Sequence, residues 1–141
     1  MQYDPLKLEN QLCFPLYASA REVVKKYKPF LDKIGLTYTQ YIAMMVLWEN
    51  KSINVKSLGE YLYLDSGTLT PLLKKLEAQG LVARARSAED ERNLIVTLTD
   101  KGEALKQEAL YIPEEIGKCI NITQEDAQTL YRILYQILGN L

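Results

Sequence analysis

The sequence predicts a mostly α-helical protein with a small β-hairpin wing, organised as a winged helix-turn-helix that dimerises through its N- and C-terminal helices. Over residues 53–99, two short segments with apolar residues at helical spacing precede two strand-like runs with a charged connection. Long amphipathic segments flank this unit at residues 6–34 and 100–141. We therefore treat residues 1–141 as one domain with a central winged unit and two dimerisation segments.

The winged unit begins at Asn54, which can cap a short helix with four apolar residues at helical spacing. A run of turn residues ends this helix. The second helix carries four leucines on one face, and Gly80 ends it. Pro71 predicts either that the second helix starts late, with a cap near Thr68 or Thr70, or that it is bent. We favour the late start.

Two strand-like runs, at residues 82–86 and 94–98, complete the unit. Such a unit places its second helix in the DNA major groove and its β-ribbon beside that helix. The side chains that suit base edges or phosphates are Ser66, Thr68, Thr70 and Lys74 on the second helix, with Arg84, Arg86 and Arg92 at the hairpin tip. The same order of elements also occurs in purely structural domains. Residues 65–92 hold as many acidic as basic side chains, so this region has no net positive charge. Attraction to DNA therefore has to come from the positions of the individual cations.

The composition excludes several classes of function. Histidine is absent from the 141 residues, which removes Ser-His and Cys-His catalysis and the commonest metal ligand. Phosphate-binding loops, dinucleotide-binding glycine motifs and CxxC pairs are also absent. We therefore expect no enzyme activity, no cofactor and no metal site. Two cysteines without a signal peptide or a long apolar run predict a cytoplasmic protein without a membrane span.

The flanking segments predict a dimer. Residues 6–34 show an apolar stripe over seven turns, and Pro15 implies a kink or a helix start near Leu12. This stripe can pack against a partner or against the chain's own core. Thr99 and Thr123 can cap two later helices. A dimer built from the ends presents two DNA-reading units to a near-palindromic site, with half-sites about 34–36 Å apart.

Cys13 is the candidate reactive group. It shares a helix face with Tyr17, and Pro15 places it near an effective helix start, which favours the thiolate that attacks a peroxide. The alternative is a small buried hydrophobic side chain. Tyr27 lies on nearly the same face, but 14 residues of straight helix span roughly 21 Å. Tyr27 therefore reaches Cys13 only from a partner subunit.

Several segments resemble the MarR family and, within it, the organic hydroperoxide regulators of the OhrR type. The segments are LENQLCFPLYASARE, LTYTQYIAMMVLWE, LGEYLYLDSGTLTPLLKKLEAQGLVARAR and DERNLIVTLT, and the similarity covers about residues 6–112. The resemblance implies that Cys13 is the peroxide-reactive cysteine. It also implies that Tyr27 and Tyr38 hydrogen-bond Cys13 from the partner subunit and that Tyr17 is an aromatic of the pocket.

For DNA binding, the resemblance implies that Ser66, Thr68 and the helix after them read the major groove. Arg92 resembles a minor-groove arginine of the wing, and Asp90 would orient it. The implied mechanism is that of a repressor: the reduced homodimer binds its double-stranded operator, and an organic hydroperoxide converts Cys13 to the sulfenic acid. A further reaction with a thiol then shifts the DNA-binding units.

The sequence leaves open which thiol completes the oxidation. It is either a low-molecular-weight thiol or Cys119, which otherwise has no part in the chemistry. Two other functions remain as alternatives. One is a MarR-type regulator released by a phenolic ligand without a role for Cys13, and the other is a thiol peroxidase that uses Cys13.

Overall fold

The computed structural model describes residues 3–140, which form helices around a three-stranded sheet. After a 3-10 turn at Leu8–Asn10, the helices are α1 (Cys13–Asp32), α2 (Tyr38–Asn50), α3 (Val55–Leu62), α4 (Ser66–Ala78), α5 (Asp100–Ala109), α6 (Ile112–Cys119) and α7 (Gln124–Gly139). The strands are β1 (Ser52–Asn54), β2 (Val82–Arg86) and β3 (Leu94–Leu98). The winged helix-turn-helix predicted from the sequence is confirmed.

The first long helix begins at Cys13, so residues 6–12 of the predicted amphipathic segment lie outside it. The segment before it is held in another conformation, because Gln11 Nε2 donates to the carbonyl oxygens of Pro5 and Lys7, both at 2.7 Å. Pro15 falls in the first turn of α1, where its missing N–H would have no partner in any case. Of the two alternatives at Pro15, the structure has the helix start near Leu12.

The helix-turn-helix consists of α3 and α4. Asn54 caps α3 as expected, and its side chain accepts a hydrogen bond from Lys56 N at 2.8 Å. The late start of α4 is wrong. Asp65 caps this helix, with Thr68 N donating to Asp65 Oδ1 at 2.8 Å, and Pro71 lies inside it. The Asp65 cap fixes the first turn before Pro71 is reached, so the proline removes only one hydrogen bond of the second turn.

The wing is the antiparallel pair β2 and β3 with its connection at residues 87–93, and both predicted strands are confirmed. The sheet also has a third strand, in the order β1-β3-β2, which the sequence analysis missed. Ser52 of β1 lies opposite Thr97, and their hydroxyl oxygens are 3.0 Å apart. This pairing fixes the wing to the segment that leads into the helix-turn-helix.

The core is centred on α2, in which six residues are buried. Met44 and Leu47 are completely buried. Trp48 is also buried, and its Nε1 donates a hydrogen bond of 2.9 Å to the carbonyl oxygen of Gly102 at the start of α5. α2 contacts α3 and α4 of the winged unit and also α1 and α5 outside it. It therefore holds the winged unit against the remainder of the chain.

The C-terminal helix α7 buries none of its residues within the chain, although it is amphipathic. Its exposed apolar side chains include Leu130, Ile133 and Ile137. Thr123 caps it, with its hydroxyl accepting from Asp126 N at 3.0 Å. Between residues 3 and 140, none of the helices combines the length and the hydropathy that crossing a bilayer requires.

Gly102→Ala should destabilise the fold. A Cβ at this position would overlap the carbonyl oxygen of Leu81 and lie 2.7 Å from Leu98 Cδ1, so the backbone has to shift. We expect the free energy of unfolding to fall by about 1–3 kcal/mol, as for other overpacked sites. Urea denaturation at fixed protein concentration measures the change. Gly117→Ala is the control, because nothing lies within 4 Å of its added Cβ in α6, and an equal loss in both variants would contradict the steric explanation.

Candidate functional site

The outer face of α4, which we call the recognition helix, carries the polar residues that the sequence analysis assigned to DNA. Four leucines on the opposite face are buried, which leaves the polar side chains exposed. The exposed residues are Ser66, Thr68, Thr70 and Lys74. At the start of the helix, hydrogen bonds from Thr68 lower the pKa of Asp65 below its ordinary value, which keeps the cap ionised. The helix thus presents hydroxyl and amine groups on a rigid, capped element.

The wing presents Arg92 on its connecting segment. The Arg92 side chain is 90% exposed, and its Nε and Nη2 donate to the two carboxylate oxygens of Asp90 at 3.1 and 3.2 Å. Asp90 also accepts from the backbone N of Arg92 at 3.0 Å, and these hydrogen bonds lower the pKa of Asp90. The carboxylate therefore fixes the direction of the guanidinium group while the cation stays accessible. Arg86, at the end of β2, is exposed as well.

Arg84 does not lie at the hairpin tip, and the expected placement is wrong for this residue. It sits in the middle of β2, and its side chain is only 17% exposed. Glu77 of the recognition helix accepts from the Arg84 backbone N at 3.0 Å and from Nη2 at 3.1 Å. These bonds lower the pKa of Glu77. Arg84 is thereby committed to an ion pair that joins the wing to the recognition helix.

A cleft of about 790 Å³ separates the wing from the helix-turn-helix and collects residues from four parts of the chain. Ser66 and Arg92 line it, together with Lys56 from the first turn of α3 and Tyr63 from the turn before α4. Sequence reasoning missed Lys56 and Tyr63. The signal for Lys56 is its position beside the Asn54 cap, since the N-terminus of the first helix approaches the DNA backbone in this motif.

Cys13 is the first residue of α1 and is exposed within the chain. Its apolar neighbours Leu12, Phe14 and Leu16 are also exposed. Tyr17 lies one turn further along, where the Arg21 guanidinium is 5.6 Å from the centre of its ring. The buried position that would have made Cys13 a simple core side chain is therefore not observed.

Tyr27, Tyr38 and Tyr41 form an aromatic group that we call the tyrosine cluster. The ring centre of Tyr27 is 4.9 Å from that of Tyr38 and 5.7 Å from that of Tyr41. Burial, followed by the neighbouring phenols, raises the pKa of Tyr27 to about 12, and burial also raises the pKa values of the other two. The hydroxyls remain protonated hydrogen-bond donors at neutral pH. Sequence reasoning missed Tyr41 because it read as one of many apolar residues of α2.

The thiol and the tyrosine cluster of one chain do not meet. Cys13 and Tyr27 belong to the same continuous helix α1, and 14 residues of helix span roughly 21 Å. The structure therefore places Tyr27 near Tyr38 but not near Cys13 of its own chain. Cys119 is the last residue of α6 and is exposed, and both cysteines are free thiols.

The comparisons with known proteins agree on a class of DNA-binding regulators. A family model described as transcriptional regulator SarA/Rot matches residues 25–109. The chain is 52% identical to the organic hydroperoxide resistance transcriptional regulator of Bacillus subtilis, over 99% of this chain and 95% of that protein. It is similar to a structure of reduced AbfR bound to DNA, with 37% identity, a TM-score of 0.79 and coverage of 94% and 93% of the two chains.

A structure of disulfide-formed AbfR, a protein of Staphylococcus epidermidis, is also similar, but less so. Its identity is 38%, its TM-score is 0.64, and the alignment covers 94% of this chain and 90% of that one. At nearly equal identity and coverage, the backbone of our structure is thus closer to the reduced, DNA-bound form than to the disulfide form.

Alkaline titration should show Tyr27 ionising last among the three cluster tyrosines. Because its pKa is about 12 in the folded chain and 10.0 ordinarily, the unfolded state loses this proton first as the pH rises. The stabilisation from Tyr27 is therefore complete below pH 10 and is lost as the pH rises through about 12. Ultraviolet absorbance follows phenolate formation, and Tyr27→Phe should remove the latest step. Tyr61→Phe is the control, since Tyr61 is 64% exposed. Loss of the same late step in both variants would contradict the assignment.

Proposed function

Since the chain belongs to the MarR/SarA family of winged-helix transcriptional regulators, we propose that it is a homodimeric repressor of the organic hydroperoxide-sensing type. In its reduced state it binds a near-palindromic operator, and oxidation of Cys13 releases the DNA. The observation that supports this most is the exposed thiol at the first turn of α1, in a chain 52% identical to a hydroperoxide resistance regulator. A DNA-binding repressor acts beside the chromosome, so we place the protein in the cytoplasm.

DNA binding uses two surfaces of each subunit. The recognition helix enters the major groove, with Ser66, Thr68, Thr70 and Lys74 toward base edges and phosphates. The wing lies along the adjacent minor groove, where the negative potential attracts the exposed Arg92. Arg86, where β2 leads into the connecting segment of the wing, contributes a further cation. Because residues 65–92 hold equal numbers of acidic and basic side chains, the affinity depends on these few contacts.

Dimerisation uses the two ends of the chain. The first half of α1 and the whole of α7 expose apolar side chains that the chain itself leaves uncovered. Transfer of such surface out of water contributes about 25 cal/mol per Å², which makes a second copy a favourable cover. Pairing the ends leaves the winged units outside the interface. Two such units then address the two halves of a symmetric operator.

The chemistry begins at Cys13. Its thiolate attacks the terminal oxygen of the hydroperoxide, the S–O bond forms as the O–O bond breaks, and the alkoxide that leaves takes up a proton to become the alcohol. The resulting sulfenic acid then condenses with a second thiol to a disulfide, with loss of water. Within its own chain Cys13 is roughly 21 Å from Tyr27. The phenol donors of Tyr27 and Tyr38 therefore come from the partner subunit.

Release of DNA needs only a modest change in free energy. Each 1.4 kcal/mol lost from operator binding weakens it tenfold, so a shift worth a few kcal/mol changes occupancy from nearly full to nearly empty. Replacing a thiol by a bulkier disulfide at the junction of two subunits disturbs the hydrogen bonds of the tyrosine cluster. The two winged units then no longer hold the separation that the operator requires.

A second candidate function is a regulator released by a small phenolic ligand. A cleft of about 330 Å³ between α2 and the α5–α6 region favours it, because Tyr41, Met45, Trp48 and Leu110 give this cleft an apolar lining. In that mechanism Cys13 has no role. The two functions differ in one observable: whether release of the operator DNA requires the Cys13 thiol.

Cys13→Ser should abolish hydroperoxide-induced release while leaving operator binding of the reduced protein intact. A serine hydroxyl does not attack the O–O bond at neutral pH, so the sulfenic acid does not form. Gel shifts on the protein's own promoter, with and without cumene hydroperoxide, provide the measurement. A Cys13→Ser protein that still leaves its operator would favour the ligand-released regulator.

Cys119→Ser is the matched control and also tests the thiol that completes the oxidation. If Cys119 forms the disulfide, non-reducing gel electrophoresis of oxidised wild type shows a covalent dimer that this variant lacks. If a low-molecular-weight thiol completes the reaction, the wild type stays monomeric on the gel and gains the mass of that thiol. Absence of a covalent dimer from wild type excludes the resolving role of Cys119.

Arg92→Ala should weaken operator binding by about 1–3 kcal/mol without changing dimer stability, because the guanidinium lies far out on the wing. Fluorescence anisotropy with labelled operator measures the affinity, and thermal unfolding measures the stability. Lys25→Ala on α1 removes the same charge from an exposed site outside the winged unit and is the control. Equal affinities of wild type and Arg92→Ala would show that the wing does not dock on DNA.

A further inference from the structure

The C-terminal end of the recognition helix is tied to the turn that carries the tyrosine cluster. Gln79, the residue after α4, donates from its Nε2 to the carbonyl oxygen of Gly35 at 2.8 Å. Gly35 lies in the α1–α2 turn, residues 33–37, between the helix that bears Tyr27 and the helix that begins with Tyr38. One hydrogen bond thus connects the DNA-reading element to the segment between the two stacked tyrosines.

The α1–α2 turn has a defined shape that transmits displacement. Gly35 has a φ of +70°, and Leu36 N bonds back to Leu31 O at 3.1 Å, so α1 ends in a closed left-handed turn. Two residues later, the side chains of Thr37 and Gln40 cap the start of α2. Both limbs of the turn are therefore rigid. If α1 and α2 move apart and separate the Tyr27 and Tyr38 rings, which lie 4.9 Å apart, the turn between them and its Gly35 carbonyl move with them.

The start of α2 also lies beside the recognition helix. A narrow groove of about 240 Å³ lies between the start of α2 and the helix, where Thr37 and Gln40 face Pro71 and Lys75. Leu36 of the turn is also buried in the core that contains the leucines of the recognition helix. A movement of the turn therefore reaches the recognition helix both at its end and along its flank.

We propose that Gln79 is the positioning residue that couples the tyrosine cluster to the recognition helix, so that a change at the tyrosines tilts the helix through the Gly35 carbonyl. This inference rests on the proposed redox function and adds to it the contact by which oxidation reaches DNA. Gln79 touches neither DNA nor the thiol in this assignment. It acts through the α1–α2 turn alone.

The same helix end has a second set of ties, which provides the control. Lys101 of α5 donates from Nζ to the Gln79 carbonyl oxygen at 2.7 Å, and Thr99 donates to the Gly80 carbonyl oxygen at 2.6 Å. These bonds hold the end of the helix to α5 and do not involve the α1–α2 turn. Loss of the Lys101 bond loosens the same helix end without touching the proposed coupling.

Gln79→Met tests the coupling, with Lys101→Met as the matched variant. Methionine keeps the length of the side chain and removes the donor to Gly35. It also removes Gln79 Oε1, which is buried without a hydrogen-bond partner among the described residues, so the variant should fold. For each protein, operator affinity is measured before and after treatment with cumene hydroperoxide. The sulfenic acid at Cys13 is quantified by trapping with dimedone.

We expect Gln79→Met to bind the operator within about threefold of wild type when reduced, because the helix surface is unchanged. Oxidation should then weaken its binding at least fivefold less than it weakens that of wild type, although Cys13 is trapped to the same extent. Lys101→Met should keep the wild-type ratio of operator affinity in the reduced protein to operator affinity in the oxidised protein. An unchanged ratio in Gln79→Met, or an equal fall in both variants, overturns the coupling.

A measurement on the reduced protein separates failure of this inference from failure of the proposed function. If wild type keeps its operator after oxidation, the redox function is wrong, but a double-mutant cycle still decides the coupling. Tyr38→Leu and Gln79→Met are combined, and operator affinity is measured for each single variant and the pair. Coupled residues give a combined effect that departs from the product of the single effects by more than about twofold. A combined effect on operator affinity that equals the product of the two single effects overturns the proposal.

Discussion

The length of one uninterrupted helix is the constraint on which the sensing site depends. Cys13 begins α1 and Tyr27 lies four turns further along it, so the helix itself keeps the thiol roughly 21 Å from the tyrosines of its own chain. Proline at position 15 does not relax this distance, because it occupies the first turn, and Pro29, the proline inside the helix, lies beyond Tyr27. In the proposed mechanism a complete site therefore needs two subunits, so that chemistry at the thiol acts on the interface between them, which would set the spacing of the DNA-reading units.

The start of α2 connects the tyrosine cluster to the recognition helix. Its first residue, Tyr38, belongs to the tyrosine cluster, and its later residue Trp48 bonds to Gly102 of α5. The turn before it is tied to the recognition helix through Gln79. A helix with buried residues along most of its length moves as a rigid body, because protein interiors are close-packed and deform little. Displacement at one end of α2 is therefore passed on and not absorbed locally.

Features that depend on contacts between residues close in the sequence could be predicted, and features that depend on contacts across the fold could not. The caps at Asn54, Thr99 and Thr123 were predictable because each side chain bonds a backbone N–H two or three residues ahead. Strand β1 was not, since its three residues form a strand only by pairing with β3 more than 40 residues later. Arg84 was misplaced although Glu77 is only seven residues away, because the sequence does not show that the chain turns back between α4 and β2 and brings this carboxylate onto the guanidinium.

In the proposed function, selectivity for the oxidant follows from the apolar residues near the thiol. Leu12, Phe14 and Leu16 stand exposed around Cys13 in the chain and, in the proposed dimer, form apolar walls beside it. Hydrogen peroxide gains nothing from such walls, whereas an organic hydroperoxide buries its alkyl group against them. Each buried methylene contributes about 0.8 kcal/mol, which is roughly a fourfold gain in binding. Because several methylenes multiply this factor, we expect the apolar start of α1 in the proposed sensor to favour organic hydroperoxides over hydrogen peroxide.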